Sequence, residues 1–225
     1  MDRPPGKTAD PTRRLIPRHA ATTRWWWLRH APVVGGQGRL YGADDVPADV
    51  SDAAAFRALA ARLPRGALWV TSPLLRARQT QAAVMAAGYP ALEVEIEADF
   101  AEQDYGQWQG LDNRAMAEAT SAFARHKFWF APADAQPPGG EDFHAVMARV
   151  GRGIAARNAA HPGRDIVAVA HGGVIRAAIA LALGLDPEVA LGIAVENLST
   201  TRLDHLAGPG RGGDWRLAFA NARPR

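Results

Sequence analysis

The chain has 225 residues, 48% of them hydrophobic, enough for one sizeable core and not requiring a second domain. It has no cysteine, which excludes disulfides, thiolate metal sites and a thiolate nucleophile. A pI of about 9.8 invites a nucleic-acid reading. However, six of the 26 basic residues (Arg3, Lys7, Arg13, Arg14, Arg18, Arg24) and only two of the 23 acidic ones (Asp2, Asp10) lie in the first 24 positions, leaving 20 basic against 21 acidic in the rest.

Residues 1–23, with several prolines and no apolar periodicity, read as a disordered basic N-terminal tail, and residues 24–225 as a single domain. No apolar run approaches the roughly 20 residues that span a bilayer, and the N-terminus lacks the apolar core of a secretory signal. A cytoplasmic address follows as an expectation, with no membrane and no nucleic-acid partner.

Trp25 to Arg29 is a short apolar run that stops abruptly in polar residues, as a buried parallel strand does. A loop rich in Gly, Pro and Asp leads to an alanine-rich helix over Ala53 to Leu63. Ala67 to Thr71 reads as a strand, and Ser72-Pro73 as the opening of a helix that runs to Ala87, closed by Gly88. Leu92 to Ile96 alternates like a strand, and Asn113 to Phe130 reads as a helix covering the site. Further helices are expected over Glu141 to Ala160, with Glu141 capping or neutralising the helix start, and over Gly173 to Leu183. Strands are expected at Asp165 to Ala170, Ile193 to Leu198, Thr200 to Asp204 and Trp215 to Phe219. Strands alternating with helices imply an α/β domain, a mostly parallel sheet with helices on both faces.

Three strands end in polar clusters followed by a turn: Arg29-His30, Ser72-Pro73 leading to Arg76, and His171-Gly172-Gly173. Ligands of open α/β sheets bind beyond the carboxyl ends of strands, so the clusters can meet in one crevice. Arginine forks suit a dianionic phosphoryl group, and the N–H groups at Gly172 and Gly173 can approach the same oxygens. A neutral histidine can attack phosphorus through a ring nitrogen, and a nearby carboxylic acid can protonate the leaving alkoxide. No metal or organic cofactor is needed where arginines and histidines supply the charge.

Other features carry less. Trp25, Trp26 and Trp27 read as core, Phe128-Trp129-Phe130 as a packed helix end, and Arg176 as a support for the sheet. His19, His126, His144, His161 and His205 read as surface residues. The glycines of 208–213 fit a dinucleotide fingerprint in form, but no helix follows them.

Five stretches in order resemble the histidine phosphatase superfamily, which includes phosphoglycerate mutases and alpha-ribazole phosphatases. They are Leu28-Arg29-His30; Ser72 to Ala77 with Gln79-Thr80; Glu102 to Gly106 with Trp108 and Gly110; Gly140-Glu141; and His171 to Arg176. The resemblance implies a phosphoglycerate mutase-like fold. It implies His30 as nucleophile, Arg29, Arg76 and His171 around the phosphoryl group, and Glu102 as proton donor, with Asp99 and Asp104 as competing acids. Two departures stand out: Ala31-Pro32 follows the nucleophile where Gly and then Glu or Gln are usual, and Gln37 stands near the place of a phosphate-binding Asn. The expected activity is hydrolysis of a small soluble phosphomonoester, with alpha-ribazole 5'-phosphate the leading candidate by analogy. The short interval between His30 and His171 resembles the phosphatases rather than the mutases. Rival readings are a mutase, a catalytically silent phospholigand-binding protein, and a nucleic-acid role resting on the tail alone.

Overall fold

The computed structural model describes residues 21–35, 38–90 and 94–224. The expected tail lies outside these residues as far as position 20, and so does Gln37. The domain starts earlier than the charge count suggests: β1 spans Thr23–Arg29, and Thr23 is buried, its Oγ1 accepting from Gly163 N at 2.9 Å.

Six strands form one sheet in the order β3-β2-β4-β1-β5-β6, with β2 at Leu68–Thr71, β3 at Val94–Ile96, β4 at Asp165–Ala170, β5 at Thr200–His205 and β6 at Trp215–Ala222. β3, β2, β4 and β1 are mutually parallel, and β5 alone runs against them. The pleat sends successive side chains to opposite faces. Trp25 and Trp27 therefore join Ile166, Ala168 and Ala170 on one face, while Leu28, Val167 and Val169 face the other.

On the first face pack α4 (Phe143–Ala160) and α5 (Gly172–Leu183), and on the second α1 (Ala53–Arg62) and α2 (Leu75–Ala86). The tryptophan run is core, as expected. Trp25 and Trp27 stack at 5.2 Å, with Phe100 edge-on to both, an arrangement favourable beyond the area it buries.

Several expected elements differ. α2 begins at Leu75, because Leu74 is extended and donates its N–H to Ser72 Oγ at 3.2 Å. The helix expected over 113–130 is only α3, Asn113–Ala119. Beyond it the aromatic side chains serve separate surfaces that one straight helix could not reach together: Phe123 and Phe130 pack on Trp108, whereas Trp129 lies under Arg176.

No strand forms over 193–198. There the carbonyls of Ile193 and Val195 accept from Arg176 and Arg29, and Leu198 adopts a φ of 58°. A short helix, α6 (Pro187–Leu191), was not anticipated; Asp186 caps it. Glu141 does not cap α4: Asp142 does, accepting from Ala145 N at 2.8 Å. No helix among the described residues is long and apolar enough to cross a membrane.

Candidate active site

Strands β2, β4 and β1 are neighbours and run in one direction, so their carboxyl ends finish side by side. Past the ladder, His30 N still donates to Ala170 O and Ser72 N to Val169 O, each at 3.0 Å. These bonds fix His30 and His171 on adjacent strand ends. Their rings lie 5.1 Å apart between centroids, and they are 1% and 0% exposed.

Nδ1 of His30 is 2.6 Å from Ala31 O. A carbonyl can only accept, so Nδ1 carries the hydrogen and Nε2 keeps its lone pair. Burial, then the positive charges of Arg76 and Arg29, hold the imidazole well below its ordinary range, opposed by the bond to Ala31. His30 is therefore neutral near pH 7. The loop is secured from both sides: Ala31 N donates to Thr80 Oγ1 at 2.8 Å, and Asn197 Nδ2 donates to His30 O at 2.8 Å.

Arg76 is 0% exposed. Its fork donates to Asp44 O at 2.7 Å and Gly42 O at 2.5 Å, and Tyr41 lies 4.9 Å beneath its plane. Gly42 has a φ of +38°, and a Cβ there would meet Tyr105 at 2.6 Å and Gln103 O at 2.8 Å. Only glycine lets this loop reach the arginine. Arg29 donates through Nη1 to Val195 O at 2.5 Å. Nε of Arg29, Nε of Arg76 and Nδ1 of His171 are buried without a protein partner, an unusual concentration of unsatisfied groups in one cup.

His171 stands at the start of α5, its Nε2 2.7 Å from Ser72 Oγ. Burial, then the neighbouring His30 ring and the charges of Arg76, Arg29 and Arg149, hold this imidazole well below its ordinary range as well. Glu102 reaches the same helix start: Oε2 accepts from Gly173 N at 3.2 Å and Oε1 from Gln103 N at 3.0 Å. A Cβ at Gly173 would lie 2.5 Å from Glu102 Oε1.

The glycine motifs around Glu102 have a common cause. A Cβ at Gly106 would fall 2.3 Å from Pro138 O, and one at Gly140 would fall 2.4 Å from Asp104 O. The backbones of 104–106 and 138–140 touch.

Arg29, His30, Arg76, Glu102, His171 and Gly172 are thus brought together. Asp99 and Asp104 are engaged elsewhere: Asp99 pairs with Arg152, and Asp104 Oδ1 accepts from Gly106 N. Arg176 does more than support the sheet. It lies 4.5 Å over Trp129, and its Nη1 and the Arg29 guanidinium both approach the point where a Gly172 Cβ would stand, at 3.4 and 3.7 Å. His126 is not a simple surface residue either, since its Nε2 meets Glu188 O at 3.0 Å.

Sequence reasoning missed Asn197, which holds the His30 carbonyl, and the pairing of Ser72 with His171. The Ser72-Pro73 motif carried a signal for the latter. A cleft of about 870 Å3 lined by Phe123, Lys127, Phe128 and Glu188 shares Ile193 with the rim of the site; the two histidines lie outside it. Among the described residues, no group of three or more His, Asp or Glu is arranged to hold a metal ion.

A buried histidine pair ringed by arginines thus lies at the carboxyl edge of the parallel strands of an α/β domain, a lining whose positive charge suits an oxyanion. The chain belongs to the histidine phosphatase superfamily (branch 1), whose family model matches residues 16–217. A bifunctional protein of Mycobacterium tuberculosis is 35% identical over 179 residues, 79% of this chain and 46% of the relative. The chain thus spans slightly under half the length of that relative. The structure of mycobacterial glucosyl-3-phosphoglycerate phosphatase superposes with a TM-score of 0.74 at 27% identity, covering 89% of this chain and 99% of that one. A putative alpha-ribazole-5'-P phosphatase from Escherichia coli gives 0.72 at 26% identity, with 89% and 97% covered.

Proposed function

We propose that the chain hydrolyses small soluble phosphomonoesters through a phosphohistidine formed at His30 Nε2. The observation that carries this reading is the bond from His30 Nδ1 to Ala31 O, which presents an unprotonated nitrogen inside a buried, positively charged cup. In this reading Ser72 Oγ, which accepts from Leu74 N, gives its own hydrogen to His171 Nε2, and His171 carries its hydrogen on Nδ1, the atom without a protein partner, as a donor to the phosphoryl group. Arg29 and Arg76 supply the remaining positive charge, which acts strongly in a site shielded from water.

In the first half-reaction Nε2 attacks phosphorus, the P–O bond breaks, and protonated Glu102 gives its proton to the departing oxygen. In the second, the Glu102 carboxylate takes a proton from water as that water attacks phosphohistidine, releasing phosphate and restoring neutral His30 and protonated Glu102. One carboxyl thus serves as acid and then base. The short interval between His30 and His171 supports water as acceptor, because it leaves less chain to close the pocket on an intermediate held for return transfer.

For substrates, alpha-ribazole 5'-phosphate follows from the motif resemblance, and glucosyl-3-phosphoglycerate from the similar mycobacterial phosphatase. The test is a panel containing both, together with 3-phosphoglycerate. Phosphate release should exceed interconversion of 2- and 3-phosphoglycerate. Faster interconversion would make the chain a mutase, and no turnover on any ester would make it a phospholigand-binding protein.

A further inference from the structure

Arg149 lies on α4, outside the cup, with its side chain 13% exposed. It engages all three guanidinium nitrogens. Nε and Nη2 donate to Glu141 Oε2 and Oε1 at 3.0 and 2.7 Å, and Nη1 donates to Asp99 O and Ala101 O at 2.8 and 2.6 Å. Glu141 continues the network. Its Oε1 accepts from Asp104 N at 3.1 Å, its carbonyl accepts from Gln103 Nε2 at 2.8 Å, and its N donates to Asp104 O at 2.9 Å.

Apart from the two bonds that join Arg149 to Glu141, every one of these bonds ends on the residues flanking Glu102: 99 and 101 before it, 103 and 104 after it. Among the described residues, the carboxylate of Glu102 is held by two backbone N–H groups alone. Helix α4 presses on the same segment, for a Cβ at Gly153 would fall 2.8 Å from Phe100 and 3.3 Å from Asp99.

We infer that Arg149, acting with Glu141, is a positioning residue that sets where the proton-donating carboxyl of Glu102 stands. The inference rests on the proposed role of Glu102. A two-toothed arginine–carboxylate pair fixes direction as well as distance, and misplacing a reacting group by about 1 Å can cost on the order of 100-fold. A pair that served stability alone would act on all substrates alike. One that aims the acid must act on esters with poor leaving groups and spare those that depart without a proton.

The test compares single-turnover phosphorylation by glycerol 3-phosphate, an alkyl ester, and 4-nitrophenyl phosphate, an aryl ester. Arg149→Met should lower the alkyl-to-aryl rate ratio by roughly 10-fold to 100-fold. Arg149→Lys, which keeps the charge but not the fork, should recover part of that loss. Glu141→Gln, a milder change, should move the ratio the same way and stands in if Arg149→Met does not fold. In a Glu102→Gln background, Arg149→Met should lower the ratio no further. Equal losses on both esters, or a full additional loss in the Glu102→Gln background, would overturn the inference while leaving the hydrolase reading intact. If Glu102→Gln alone leaves the ratio unchanged, the acid role of Glu102 fails and the positioning role falls with it.

Discussion

At His30, the hydrogen bond to the carbonyl of residue 31 comes from backbone, so the ring can be oriented whatever side chain stands there. This accounts for Ala31-Pro32 at a position where the family pattern has other residues. The Ala31 methyl is buried, and its N–H is held by Thr80. Arg76 is the stricter case, because its fork spans two carbonyls at once and a lysine could not. Arg76→Ala should cost roughly 100-fold to 1000-fold in turnover, the scale of removing one preorganised charge-stabilising donor. A loss under about threefold, measured as phosphate release on the best panel substrate, places Arg76 outside the chemistry.

The start of α5 is where helix geometry and acid meet. A Cβ at Gly173 would stand 2.5 Å from Glu102 Oε1, whereas one at Gly172 would make ordinary contacts of 3.4 Å and beyond. Gly173→Ala should therefore displace the carboxyl and slow an alkyl phosphate by roughly 10-fold to 100-fold, with Gly172→Ala clearly milder. Equal rates for the two variants would contradict the placement of Glu102.

Elements with strict alternation or strong apolar runs, β1 and β4 above all, were legible in the sequence nearly to the residue. The strand ends then gave Arg29, His30, Arg76 and His171, and the family pattern gave Glu102. The failures lie where backbone serves side chains from elsewhere. Residues 193–198 have the composition of a strand, but their carbonyls hold two arginines, and 121–130 distribute aromatic rings to different surfaces. Glu141 looked like a helix cap because its contacts with Gln103 and Asp104, far off in sequence, cannot be read from local spacing.

Over the whole molecule, two buried histidines kept neutral make stability depend on pH. Each folded-state value is depressed, chiefly by burial, while an unfolded histidine takes up its proton near pH 6.5. Their contribution is fully present above about pH 6.5 and is lost as pH falls below it, because the unfolded chain then binds protons the folded one refuses. The melting temperature should drop between pH 7.5 and 5.5, and His30→Asn combined with His171→Asn should flatten that slope.

The central claim, that the phosphoryl group passes through His30, is tested most directly by quenching the enzyme in alkali during turnover and mapping phosphate by mass spectrometry. The account predicts an acid-labile, base-stable phosphoryl group on His30, absent from His30→Ala, which should also lose turnover. Phosphate on another residue, or a His30→Ala enzyme turning over at the wild-type rate, would contradict it.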